Sequence, residues 1–576
     1  MSIFTSHPPK INKKKLINWL VTNYNFKNKK NISLKELNSE RDKNFLFSIN
    51  SKSKFIVKIS NKFESKKFLE LQDYVLRSLN KRSAIKKIIP KLIHKKIKIF
   101  IDENNSQCFV RILSYINGKM YAEVKNSKDL EISLGSYVGI LSNELQSLGH
   151  EAAFRKFEWE PSSLDWIKKY INLFKANKKK IIQNNFIEYI FFVKKNKKKL
   201  RYSLTHGDVN NYNLVVYNNK IKGLLDYGDM TFAPTINDLA ICLAYALMNK
   251  KNLYKSLKTI ILNYLKYYSL TFDEIFSLMT LVKSRLSITV IMAEKQIKKF
   301  PNNKYLLISK KDAWSLLYKL EKINPYLFIY LIRDFCGYPI TKNYSKLISY
   351  LEKNKFNKIF DREIQEINKS VINFGITSSF NSFLSHNPKI LTKKIKSFLH
   401  RNNSKIGIGL YGEKRNVYKG SNYVSFFNSE ERRNIHLGID FFVNEGALIR
   451  SPLNGKVAIL HNNKEKFDYG PMIVLEHNVS AEIKFYTLYG HLSEKSLKKL
   501  SIGKKIKAGE IFAEVGNFPT NGNWPPHLHF QIILDLMNEK KNFCGVSEES
   551  LWPMWSKICP NPNLIFKIPE TFFYKN

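Results

Sequence analysis

The chain has 576 residues, 44% of them hydrophobic and 13% aromatic, which is enough for two or three cores and excludes a disordered chain. Lys and Arg number 95 against 48 Asp and Glu, giving a formal charge of +47. The lysines run along the whole chain without a recognised nucleic-acid module, so a solvated Lys-rich surface accounts for most of the charge and no specific nucleic-acid partner is expected.

The five cysteines, Cys108, Cys242, Cys336, Cys544 and Cys559, are far apart, odd in number and form no C-x-x-C pair, so neither a disulfide framework nor a cysteine zinc site is suggested. The opening MSIFTSHPPKINKKK has no apolar stretch after its charges, and no uninterrupted apolar run is long enough to span a bilayer. A cytoplasmic protein with no membrane partner is therefore expected.

Taken in chain order, residues 31–60 read as short strands ending in Phe55-Ile56-Val57-Lys58-Ile59. A helical pattern follows from Glu64 to Leu79, then a strand at 108–115. Residues 130–200 read as helical, 214–217 and 221–225 as strands, and 236–335 as helices again. Between them stand HGDVNNYN at 206–213 and LDYGD at 225–229. Asn218-Asn219 is a hairpin signal. The hairpin returns the chain, so that Asn213 and Asp226 meet at its open end with Asp208 just before it. An amide and a carboxylate can share one magnesium there, while Asp208 faces a hydroxyl acceptor.

This stretch, roughly residues 15–340, resembles the aminoglycoside phosphotransferase-like kinases. The resemblance implies ATP as phosphate donor, Asp208 as catalytic base, Asn213 and Asp226 as Mg2+ ligands, and Lys58 as the strand lysine that holds the phosphates. It implies a phosphate loop at Ser39–Phe45, identified by position since it lacks glycines, and puts Gln72, with Glu70 and Glu64 nearby, where a helix glutamate usually pairs with the lysine. His206 supports the loop, Asp229 offers a second carboxylate, and Asp238 fixes structure. LNSERDKNF at 37–45, VKISN at 57–61 and VRILSYINGK at 110–119 are similar to hydroxylysine kinase-like proteins and imply a small amino-alcohol acceptor.

Residues 346–405 are Lys/Asn/Ser-rich and read as a connecting region with some helix. From 406 the texture becomes short strands with Gly, Pro and Asn turns, which suggests an all-β domain. Six of the 12 histidines lie between His436 and His529. His436 and Asp440 stand four apart on a strand-and-turn segment. His527 and His529 alternate along a strand and so share a face. His491 ends another strand. Zinc takes about four such donors, with one position left to water in a catalytic site. His461 and His477 read as satisfied structural histidines.

The span 409–566 resembles the M23, or LytM-type, zinc metallopeptidases through HLGID at 436–440, SPLNGKV at 451–457, YGHL at 489–492, GEIFAEVG at 509–516 and PPHLHFQI at 525–532. The resemblance implies Zn2+ held by His436, Asp440 and His529, with His491 and His527 orienting the attacking water and stabilising the oxyanion.

The expected architecture is α+β and multidomain: a two-lobed protein-kinase-like fold at 1–345, a connector at 346–405, and an all-β M23 peptidase-like domain at 406–576. The expected function is bifunctional, an amino-alcohol phosphotransferase plus a zinc-dependent peptidase or amide hydrolase. The alternatives are a kinase with a silent M23-like scaffold or binding domain, and a nucleic-acid binder. The pairing resembles bacterial fusions that continue into a class III aminotransferase domain. No third domain fits before Asn576, which implies a separate phospholyase or aminotransferase partner.

Overall fold

The computed structural model describes residues 8–573 apart from 25, 27–30, 38, 40–41, 51–52, 95, 298–303, 342, 379, 381–386 and 419. The chain divides into two compact units, Met1–Lys322 and Ile323–Asn576.

The first unit begins with a five-stranded antiparallel sheet in the order Ile32–Leu37, Lys43–Ile49, Ser53–Ile59, Gln107–Ser114, Lys98–Ile101. Alternate strand residues Phe45, Phe47, Val57, Ile59, Val110 and Ile112 point to one face, where Leu16 and Leu20 of the helix Lys13–Asn23 join them. A helix, Lys66–Asn80, follows the third strand. The larger helical lobe contains the expected hairpin, Leu214–Tyr217 against Lys220–Leu224. Asn218 and Asn219 turn it with φ of 49° and 55°, left-handed backbone that asparagine tolerates better than most residues.

The helix Phe272–Ile297 is, by length and composition, apolar enough to cross a membrane, with Lys283 and Arg285 inside the apolar stretch. That stretch is 94% buried within the unit. Lys283 is sequestered there by both oxygens of Glu188 at 2.8 Å and by Glu321 at 3.0 Å.

The second unit is organised on an eight-stranded sheet in the order Lys369–Val371, Ile406–Gly409, Ile439–Phe442, Leu528–Ile533, Lys484–Gly490, Gly470–Asn478, Gly455–Asn463, Lys505–Ile506. Its pairs are antiparallel except the first. Residues expected as a connector are built into this unit. Leu347, Leu351, Ile359, Phe360 and Ile364 share a core with Ile439, Phe441 and Phe530. Ile372, Phe374, Leu391, Ile395 and Leu399 enclose Phe442 in a second cluster. The unit boundary falls at Lys322/Ile323, earlier than the expected 345. The apolar faces around it show their period in sequence, but the surface that buries them is distant in the chain.

Candidate functional sites

In the first unit, the strand Tyr202–Thr205 leads into a loop in which His206 and Gly207 are buried and Asp208 is partly exposed. Asp238 clamps that loop, its two oxygens accepting the N–H of His206 at 2.8 Å and of Gly207 at 2.9 Å. Gly207 has φ +78°, and a Cβ there would lie 2.3 Å from the Asp229 carbonyl oxygen, so only glycine fits. The buried His206 ring donates from Nε2 to the Leu225 carbonyl at 3.1 Å, tying the two motifs together.

Asn213 donates from Nδ2 to Asp208 Oδ2 at 2.7 Å, which leaves its amide oxygen as the atom able to meet a cation. The N–H of Leu225 donates to the Asn213 carbonyl at 2.8 Å, so the hairpin does bring Asn213 beside the chain that carries Asp226. Asp226 sits at φ 57° and accepts from Lys58 Nζ at 2.8 Å. Gln72 instead accepts from Arg111, whose Nε also reaches Asp73 at 2.7 Å. Of the expected phosphate loop, Glu40 and Arg41 lie outside the described residues, and Lys43–Phe45 open the second strand.

Burial drives the Asp208 carboxyl up to about 6, with Arg285 opposing the rise. Arg285 was not foreseen. It comes from the apolar helix Phe272–Ile297, hydrogen-bonds Asp208 Oδ1, donates to the Trp159 carbonyl at 3.1 Å, and lies over the Trp159 ring. Its sequence signal is a cation set in a run of buried apolar residues, which the chain can hold only against a partner.

In the second unit the cross-strand register assembles the cluster. Asp440 lies opposite His529, and His529 lies opposite Gly490, one residue before His491. His436 ends the strand Arg433–His436, and His527 immediately precedes Leu528–Ile533. All five side chains are 1–6% exposed. His436 donates from Nδ1 to the Leu410 carbonyl at 2.9 Å, and His529 donates from Nε2 to Gln531 Oε1 at 3.1 Å. Those bonds turn His436 Nε2 and His529 Nδ1 toward each other at 2.9 Å, with Asp440 Oδ1 at 3.2 and 3.1 Å from them.

Three lone-pair atoms thus converge on one point. Tetrahedral zinc with bonds of ~2.0–2.1 Å needs donors about 3.3 Å apart, so the set fits that ion. Among the described residues this is the group of three His, Cys, Asp or Glu side chains able to hold a metal. Burial and the Arg415 charge press the His436 pKa down to about 4, leaving a neutral imidazole at pH 7. Burial alone would raise the Asp440 pKa, but the neighbouring His436 and Arg415 hold it well below the usual carboxylate range.

The His491 and His527 rings lie 4.2 Å apart between centroids, tilted by 34°. Each spends its Nδ1–H on a carbonyl, Asn521 at 2.9 Å and Pro525 at 2.7 Å, which leaves Nε2 as the basic atom. His491 has φ 62°, a strained conformation for a non-glycine residue.

A Cβ on Gly438 would lie 2.5 Å from His529 Cε1 and 2.7 Å from the Phe530 carbonyl oxygen. Gly438→Ala is therefore expected to cost about 1–3 kcal/mol by overpacking and to displace His529, lowering both the melting temperature and the zinc content of the purified protein.

His477, outside the cluster, is satisfied as expected: Nδ1 donates to the Asn454 carbonyl at 2.8 Å, and Nε2 accepts from Thr487 at 2.7 Å. Burial presses its pKa from 6.5 to about 4. A depressed folded pKa means stability that is complete above pH 6.5 and is lost as pH falls toward 4. His477→Gln is expected to flatten that part of the stability–pH curve by on the order of 2–3 kcal/mol, read from urea unfolding at pH 7 and pH 4.5.

Residues 33–258 match the phosphotransferase enzyme family, and residues 434–541 match peptidase family M23. The chain thus joins a phosphotransferase domain of the aminoglycoside phosphotransferase type to an M23 peptidase domain. It is similar to the hydroxylysine kinase of Xenopus laevis, 26% identical over 321 residues, covering 51% of this chain and 86% of that protein. Over 101 residues it is similar to lysostaphin of Staphylococcus staphylolyticus, 34% identical, covering 18% of this chain and 19% of lysostaphin. A solved structure of a microcompartment-associated aminopropanol kinase matches 54% of this chain and 97% of its own, at 15% identity and a TM-score of 0.44.

Proposed function

We propose that the chain is a bifunctional enzyme: an ATP-dependent kinase of a small amino alcohol or hydroxylated amino acid, and a zinc-dependent amide or peptide hydrolase. The kinase reading is carried by Asp208, partly exposed and held between Arg285 and Asn213. It takes the proton of the acceptor hydroxyl as the phosphoryl group arrives. Asn213 and Asp226 supply oxygen donors of the kind Mg2+ prefers, and Lys58, now on Asp226, is the cation placed to meet nucleotide phosphates. The acceptor class rests on the similarity to hydroxylysine kinases.

In the second domain His436 Nε2, Asp440 Oδ1 and His529 Nδ1 would hold zinc. Zinc there supplies a Lewis acid and lowers the pKa of an attacking water to about 7. His491 and His527, through Nε2, would orient that water and stabilise the oxyanion.

The experiment is ADP release by the full chain with ATP and Mg2+ over 5-hydroxylysine, ethanolamine and 1-amino-2-propanol. Acceptor-dependent turnover with at least one is expected; none with any would remove this acceptor class. A second reading, a silent scaffold or binding domain, is favoured by the near-complete burial of the five metal-site side chains. Stoichiometric zinc without cleavage of peptide or amide substrates would support it.

A further inference from the structure

Asp440 has two oxygens with different partners. Oδ1 faces His436 Nε2 at 3.2 Å and His529 Nδ1 at 3.1 Å. Oδ2 accepts from Arg415 Nη1 at 2.7 Å. The guanidinium is buried and forked: Nε donates to Glu413 Oε2 at 2.6 Å, and Nη1 also lies 3.4 Å from the Tyr418 hydroxyl. Glu413 is fixed in turn, its Oε1 accepting the Phe374 N–H at 2.7 Å.

The backbone holds this group against the metal-site strand, since the Arg415 N–H donates to the Asn434 carbonyl at 2.8 Å and the His436 N–H to the Glu413 carbonyl at 3.0 Å. Space was kept for it as well. A Cβ on Gly409 would lie 2.8 Å from Arg415 Nη2 and 3.1 Å from Asp440 Cβ.

We propose that Arg415 is a positioning residue that holds Asp440 Oδ2 away from the metal, so that Asp440 offers Oδ1 alone and the fourth coordination position stays open for water or substrate. This rests on the metal-site reading above. A carboxylate can give a cation one oxygen or two, and a second oxygen would occupy the place a hydrolytic centre must leave free. A planar fork of donors fixes two carboxylates at once, which a lysine ammonium does not reproduce. Partners of this kind around a metal ligand typically matter 10–100-fold in affinity. The same bonds tie the segment at Phe374, read in sequence as part of a connector, to the metal carboxylate.

The test uses the full chain, with zinc affinity from chelator competition and the visible absorption of the cobalt(II)-loaded protein. Two variants are compared with wild type: Arg415→Lys, and the double variant Glu413→Gln/Arg415→Met, which removes the Glu413 charge together with its cation. Both are expected to bind zinc about 10–100-fold more weakly. Both are expected to show weaker cobalt bands, as Asp440 adds its second oxygen. Wild-type affinity or a wild-type cobalt spectrum in both variants would overturn the proposal. So would a double variant that regains what Arg415→Lys lost, because Arg415 would then merely neutralise Glu413. A wild type that binds no zinc fails earlier, and overturns the metal-site reading together with this one.

Discussion

Asp208→Asn is expected to reduce phosphotransfer by about 10²–10⁴-fold, the usual contribution of a positioned general base. The amide keeps the size of the side chain but cannot take the acceptor's proton. It also leaves Arg285, buried at 2% exposure, without its anion. Breaking a buried pair from one side costs about 3–5 kcal/mol, so the variant is expected to melt lower as well. The two effects separate if ADP release is measured well below the variant's own melting temperature. A variant that there keeps a rate within about tenfold of wild type would remove Asp208 from the role of base.

The second large effect is expected at the metal cluster. His436→Ala removes one of three converging donors, and His529 and Asp440 alone make a poor site. Zinc affinity is expected to fall by more than about 100-fold, beyond the loss typical of an outer partner. Zinc held by this cluster would bind the folded state alone, so wild type is expected to gain melting temperature on adding zinc by mass action, and the variant is expected to gain none at the same concentration. A variant with unchanged zinc-dependent stabilisation would show that the ion sits elsewhere.

Local signals made much of this legible. The Asn218-Asn219 turn, the strands beside it and the convergence of the HGD and LDYGD motifs follow from turn chemistry and alternation, and the structure forms that hairpin. HLGID and PHLHF name side chains that the register Asp440↔His529 brings together. What sequence did not reveal depends on contacts between distant segments. Arg415 reaches Asp440 across a turn with no signature of its own. Arg285 approaches Asp208 from 77 residues away. Gln72, at the place of the usual glutamate partner of Lys58, is engaged by Arg111, the cross-strand neighbour of Lys58, and Lys58 turns to Asp226. The region 346–405 read as a connector because its apolar faces are short and its polar content high. Their partners, Ile439, Phe441 and Phe442, lie on a strand that comes later in the chain.

X-ray absorption at the zinc edge of the 576-residue chain tests the central claim most directly. The expected spectrum is one zinc per chain with two imidazole nitrogens, the remaining donors being oxygen, as His436, His529 and Asp440 dictate. A sulfur shell from cysteine, or a protein that takes up no zinc, would contradict it.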